Sequence, residues 1–544
     1  MAILSVNPRF GRIIVVVPFA LALAFLLFFS ITSYGNGAAF LKSLPIIHGN
    51  APKPSEPPPP PPPPPTHTPI AYKPTPTWAP PAITDPFPLL ALSTAKPPPI
   101  PAYNVPREHM HEEYGLKQPL PLFIGFTRQW PILLQAVVSY ITAGWPAEHI
   151  YVVENTGVHN MNKEGKLSLQ NQFYLNHTTL EKLGVRVIQT PVLLTFAQLQ
   201  NFFLSVAYQR NFPHYLYSHQ DVVVFSPEDG RDTYDRPANR GYDFYDEKEE
   251  EETMNTPKAG QPGYRTIYEN CLRELQVVTK RGEKWGFRWF QYDHLTMVNR
   301  EAVEAVGGWD PFIPYYSSDC DINGKLAMGN WTMKSRYVGL INDISSTLTD
   351  LEVLYRNPRL TPNFTDPNPF SPEQEAEYLE RMEKMAEEEA AAKQKAEEEA
   401  AAKKKAEEEG EGKRSPATAA KRDADGKMPT DPLAYFRILN KVGVDMGWYK
   451  YREFDYHRNT WQKSQRGGLG EPFYYDPNGF ARAFEIFTGA GQDIYKEKWG
   501  HRDCDLQTTD LKMEDQWRVE KDWERKEEGE GEGEGGRRSM DRTV

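Results

Sequence analysis

Cysteine is scarce: Cys271, Cys320 and Cys504 are the three in 544 residues. So few exclude a fold framed by disulfides; one pair and one free thiol can form, and the spacing leaves the pairing open. Excess positive charge is missing too, the formal net charge being -12, and with it the electrostatic footprint of a nucleic-acid binder. There is no glycine-rich phosphate loop. The His501-Arg502-Asp503 triplet also lacks the later asparagine of a kinase catalytic loop, Thr508 standing there instead, which excludes kinase chemistry. An apolar seam is absent from the Glu- and Ala-rich stretch 373–409, so a coiled coil is not expected there.

What is present begins with an apolar run. Ile13 to Ile31 is 19 residues without a charge, and at about 1.5 Å per residue it spans roughly 28 Å, close to a bilayer core. Arg9 and Arg12 precede it, and no Lys or Arg follows until Lys42. That asymmetry predicts a cytoplasmic tail at 1–12, an uncleaved signal anchor at 13–31, and translocation of the rest. Residues 32–106 are Pro-rich, with nine consecutive prolines from Pro57 to Pro65, and read as a luminal polyproline II stalk. The triplets beginning at Asn176, Asn330 and Asn363 match the glycosylation sequon, a pattern common by chance that agrees with a luminal location.

Residues 115–365 carry the globular pattern. Leu122 to Thr127, His149 to Glu154, Val185 to Thr190 and His214 to Phe225 read as strands. Pro131 to Ala143, Leu169 to Leu183 and Phe196 to Arg210 read as the helices between them. Such alternation predicts an α/β fold with a mostly parallel sheet flanked by helices, whose ligands bind at the carboxyl ends of the strands. Thr127 and Arg128, Glu154 and Asn155, and His219-Gln220-Asp221 gather polar side chains at those ends. One crevice would hold all three groups against one ligand.

The most pointed stretch lies further on. Gly307-Gly308-Trp309-Asp310-Pro311 leads through an aromatic loop to Ser318-Asp319-Cys320-Asp321, two carboxylates at the opening of a helix. Taken alone, this is a turn followed by a capped helix.

Together these segments resemble a known family. Val152 to Gly157 looks like the second-strand signature of nucleotide-sugar glycosyltransferases of the GT-A fold. Tyr217 to Val222 occupies the place of their Asp-x-Asp metal motif, with His219 where an aspartate usually stands. The Gly307 to Asp321 stretch resembles their glycine-rich turn and acidic catalytic segment, with Ser318 where many relatives carry glutamate. Over residues 119–345 the chain is similar to family 2-like glycosyltransferases of a fungal, membrane-anchored group.

The resemblance implies roles. Asp319 would be the base that takes the acceptor's proton in an inverting transfer, with Asp321 second. Glu154 would meet the nucleotide's base or ribose beside Thr127, Arg128 and Asn155, while Gly308, Trp309 and Asp310 would lie near the sugar or acceptor. A leaving sugar diphosphate gathers negative charge, which a divalent metal, Mn2+ or Mg2+, can offset. Asp221 is the expected ligand. His219 is a second, its imidazole suiting Mn2+ better, and His501 matches the late histidine ligand of GT-A enzymes.

The remainder is auxiliary. Asp243 to Glu252 reads as a solvated loop, Tyr264 to Arg281 as a helix, and Trp285 to Tyr292 as an aromatic run able to pack or to stack on a sugar. Residues 372–427 form a charged helix and a linker. Residues 428–524 are an aromatic-rich segment expected to pack on the catalytic domain, with helices at Tyr435 to Trp448 and Phe480 to Phe487, and 525–544 a disordered tail. The expectation is a type II Golgi glycosyltransferase moving sugar from a nucleotide-sugar donor to a glycan, glycoprotein or glycolipid. The alternative is a non-catalytic luminal protein of the same fold that binds glycans or a partner.

Overall fold

Successive side chains of a strand point to opposite faces, and Leu122–Phe126 (β1) shows it: Leu122, Ile124 and Phe126 enter one core and Phe123 another. The computed structural model describes residues 81–92, 94–230, 257–366, 428–451 and 477–524, with parts of 69–74, 371–384 and 468–471. The chain divides into two units, Met1–Thr75 and Pro76–Val544, and the sheet lies within the second. The expected anchor at 13–31, the acidic run 243–252, residues 385–427 and the tail 525–544 lie outside the described residues. Among the described residues no helix is long and apolar enough to cross a membrane.

The longer strands are β1, Ile150–Glu154 (β2), Arg186–Gln189 (β3), His214–Ser218 (β4), Val222–Phe225 (β5), Trp285–Phe290 (β6), Leu295–Asn299 (β7), Thr332–Ser335 (β8) and Leu340–Asp343 (β9). Seven of them make one sheet in the order β3-β2-β1-β4-β7-β6-β8. Only β7 runs against the others, being antiparallel to both β4 and β6, while the remaining pairings are parallel. The fold is therefore mixed α/β with a mostly parallel sheet.

Helices cover both faces. They are Trp130–Thr142 (α1), His177–Lys182 (α2), Phe196–Gln209 (α3), Ile267–Arg281 (α4), Arg300–Ala305 (α5), Ser318–Met328 (α6), Pro432–Tyr451 (α7) and Pro477–Trp499 (α8). The larger core takes residues of α1, α4, β5 and α7; the other takes α3, α5 and α6. α1 is apolar nearly all round because β5 and the segment after β9 cover its far side: Ser139 accepts from Val224 N, and Gln135 bonds Ser346 and Leu348 backbone. α4 begins at Thr266, which exchanges hydrogen bonds with Glu269, and ends at Gly282 with φ +61°.

Three elements differ from the sequence expectation. Only His177–Lys182 of the expected 169–183 helix forms, started by Asn176, whose side chain accepts from Thr179 N. The expected strand 214–225 is two strands. β4 stays in the main sheet and β5 pairs antiparallel with β9, so His219, Gln220 and Asp221 form the break between two sheets. The core also begins earlier than the Pro-rich composition implies, since Phe87, Leu90 and Asn104 are buried.

Candidate functional site

The carboxyl edge of the sheet is stitched by side-chain amides. Gln220 accepts from Thr127 N at 3.3 Å and donates to Arg128 O at 2.7 Å, fixing the turn after β1. Asn155 donates to Leu194 O at 2.9 Å and to Thr127 Oγ1 at 3.3 Å, and accepts from Leu194 N at 2.7 Å. Thr127, Arg128, Asn155 and Asp221 thus meet at one edge. Burial brings the Arg128 guanidinium down to about 10.

Glu154 is fully buried. Its oxygens face Asn162 Nδ2 at 2.9 Å, His177 Nε2 at 2.9 Å and Gln189 Nε2 at 3.2 Å. Burial alone would raise this carboxyl, but the donors around it outweigh burial and lower it. These bonds hold the loops after β2 in place, with the carboxylate turned inward.

Because β7 is reversed, the turn between β6 and β7 lies at the same edge as the ends of β1, β2 and β4. Gln291 and Tyr292 take left-handed backbone there, φ +62° and +55°, a strained conformation that collects at functional sites. The turn presents Tyr292, Asp293 and His294. His219 Nε2 stands 3.3 Å from Asp293 Oδ2, and His219 Nδ1 stands 3.9 Å from Asp221 Oδ1. Burial pushes the His219 imidazole down, but Asp293, Asp221 and Asp343 outweigh it and hold it up at about 9. Asp293 is lowered in turn: burial opposes ionisation and His219 and His294 overcome it.

His219, Asp293 and His294 each offer a ligand atom, and these lie within 4.8 Å of one another. Among the described residues this is the group of three that could share a metal ion. The fit is chemical as well as spatial. His294 Nδ1 is buried and takes no hydrogen bond, and His219 Nε2 lacks hydrogen-bond geometry to the carboxylate beside it. Two imidazoles and one carboxylate suit a first-row transition ion. Asp221 instead accepts from Lys450 Nζ at 2.7 Å. His501 lies between Asp505 and Asp522, 2.6 Å from Asp505 Oδ1, and belongs to no such group.

The acidic segment opens α6. Two positions apart on a helix is a rotation of about 200°, so Asp319 and Asp321 point to opposite sides. Asp319, partly exposed, accepts from Tyr292 OH at 2.6 Å. Burial raises its carboxyl above the usual range, and the Tyr292 bond offsets part of the rise. Asp321 is fully buried on the other side, bonded to Lys498 Nζ at 2.6 Å and Trp499 Nε1 at 2.9 Å, with Lys325 Nζ at 3.1 Å. Cys320 between them is disulfide-bonded to Cys504, while Cys271 is buried and unpaired with another cysteine.

Gly308, Trp309 and Asp310 are anchored rather than open. Gly308 has φ +74°, and a Cβ there would meet Asn201 Oδ1 at 2.8 Å. Asn201 bonds both N and O of Trp309, Gly308 O accepts from Lys325, and Asp310 accepts from Lys498. Trp309 is buried and meets Phe196 edge-on at 5.5 Å. Trp285 and Trp289 are also buried, within β6.

Sequence reasoning missed Tyr292, Asp293, His294, Asp343 and Lys450. The Tyr-Asp-His triplet following an aromatic strand is a local signal that could have been used. Asp343 and Lys450 are brought in by pairings across long stretches of chain and carry no local mark.

No protein-family model matches this chain, and no curated protein matches it. Among solved structures it is similar to a mannosyltransferase from Pyrobaculum calidifontis in complex with GDP-Man and Mn2+, at 11% identity and a TM-score of 0.24. That match covers 42% of this chain and 60% of the mannosyltransferase. A cytidylyltransferase from Leptospira borgpetersenii serovar Hardjo-bovis (strain JB197) is similar at 9% identity and a TM-score of 0.22, over 40% of this chain and 76% of that one.

Proposed function

We propose that the chain is a membrane-anchored GT-A-like glycosyltransferase that inverts the anomeric centre of a nucleotide-sugar donor, with its globular part in the Golgi lumen. The observation carrying this reading is Asp319, a partly exposed carboxyl linked through Tyr292 to the turn that bears Asp293 and His294. In a direct displacement the acceptor oxygen attacks the anomeric carbon, the bond to the diphosphate oxygen breaks with its electron pair, and a base takes the hydroxyl proton. Asp319 is that base; Asp321, enclosed by Lys498, Lys325 and Trp499, is structural.

His219, Asp293 and His294 would hold a divalent cation whose charge offsets that gathering on the leaving diphosphate. Arg128 and the Thr127–Asn155 edge would face the donor. The acceptor is a glycan, glycoprotein or glycolipid.

Calorimetric titration of the purified full chain with UDP and GDP, with Mn2+ present or chelated, tests the reading. Binding of one nucleotide that needs the metal supports it and narrows the donor. Absence of binding under every condition overturns it in favour of the non-catalytic, glycan- or partner-binding alternative.

A further inference from the structure

Val222 lies opposite Asp343 in the β5–β9 pairing, and Ile344 N donates to Asp221 O at 2.9 Å. Backbone pairing thereby sets the Asp221 and Asp343 carboxylates side by side, both buried. Two buried anions so placed need a cation between them. α7 supplies one. Lys450, 3% exposed, donates to Asp221 Oδ2 at 2.7 Å and to Asp343 Oδ1 at 2.6 Å, and Tyr451 OH also donates to Asp343.

The other side of each carboxylate faces an imidazole. Asp221 Oδ1 is 3.9 Å from His219 Nδ1, and Asp343 Oδ2 is 3.4 Å from His294 Nε2. Of the opposite ring nitrogens, His294 Nδ1 takes no hydrogen bond and His219 Nε2 faces Asp293 Oδ2 at 3.3 Å without hydrogen-bond geometry. A ligating histidine usually turns its second nitrogen to a carboxylate that orients it.

We propose that Lys450 is a built-in cation that closes the Asp221–Asp343 pair to divalent ions, so that both carboxylates orient imidazoles while metal is held by His219, Asp293 and His294 alone. This rests on the metal set of the reading above, not on its donor or its chemistry. Lys450 and the two carboxylates are positioning residues, and α7 becomes part of the metal site from 107 residues beyond Asp343.

The test is Mn2+ binding to the full chain without nucleotide, by calorimetry and by the electron paramagnetic resonance of unbound Mn2+. One Mn2+ per chain is expected. Asp221→Asn should keep that stoichiometry and weaken binding by about 10–100-fold, whereas His294→Ala should lose the ion. Lys450→Met should take up a second Mn2+. Lys450→Arg, which keeps the charge should the methionine variant not fold, should stay at one. Wild type binding no ion or two, Asp221→Asn losing the ion as His294→Ala does, or folded Lys450→Met staying at one ion with wild-type affinity would each overturn the proposal. A chain that passes these tests yet binds neither UDP nor GDP leaves the proposal standing and removes the transferase reading alone.

Discussion

Tyr292 donates its phenolic hydrogen to Asp319 Oδ2 across 2.6 Å, joining the strained turn between β6 and β7 to the first turn of α6. A carboxylate that accepts a hydrogen bond is favoured in its charged form, so this bond works against the burial that raises Asp319. In the proposed transfer Asp319 acts as the base, and a base must be ionised to act. Tyr292→Phe should therefore raise the Asp319 pKa, move the acid limb of the pH–rate profile for sugar transfer to higher pH, and leave the plateau rate near wild type. Asp319→Asn should lower the plateau about 10²–10⁴-fold. An unmoved acid limb in the phenylalanine variant would show that another group is the base.

On the other side of α6 the carboxylate is structural. Lys498 bonds both Asp321 at 2.6 Å and Asp310 at 2.7 Å, nearly out of reach of water. Removing one partner of a buried ion network strands the others, at a cost of about 3–5 kcal/mol. Denaturant unfolding of Lys498→Met should show a loss of that order. A loss below about 1 kcal/mol, within the range of an exposed pair, would mean that water reaches the site.

The contrast between these two aspartates shows what the sequence could and could not say. The sequence offered both as candidates for the base at the opening of one helix; helical spacing turns them to opposite faces, and the arrival of Lys498 and Trp499 from α8 shows which face is interior. Apolar runs located β1, β2, β3 and the start of β4, because a run of that kind is a local signal. The break at His219 to Asp221 was hidden, since Val222–Phe225 continues the apolar run of β4 and leaves the sheet only because β9 pairs with it. Glu154 sits at a strand end like a ligand-binding residue, yet His177, Asn162 and Gln189 from three later segments enclose it. Local pattern finds elements; partners distant in sequence decide which polar groups are spent on packing.

The disulfide Cys320–Cys504 closes a separation of 184 residues and ties α6 to the chain after α8. Cross-links of this kind typically contribute about 2–4 kcal/mol. Reduction should lower the thermal midpoint, and Cys320→Ser should reproduce the shift and make it insensitive to reductant. The Cys271 thiol is buried among apolar residues and its pKa is raised by burial, so it should react with maleimide only on unfolding. Rapid labelling of the native, oxidised protein would contradict the pairing.

His501 carries a pH signature. Burial would lower its imidazole, but Asp505 and Asp522 outweigh burial and raise it, while Asp505 is lowered chiefly by His501. A raised histidine contributes stability that is full below its unfolded pKa of about 6.5 and is lost as pH rises through the folded value. The lowered aspartate contributes above its unfolded value of about 3.9 and loses this as pH falls through its folded value. His501→Gln should therefore cost most between about pH 4 and 6.5, roughly 0.5–1 kcal/mol because both aspartates are partly exposed. The difference should shrink in alkaline buffer and in about 1 M salt. The same variant separates this role from the metal ligation that the family resemblance implies for His501. Mn2+ should raise the thermal midpoint of wild type and His501→Gln equally, and a variant that loses the Mn2+ response would make His501 a ligand after all.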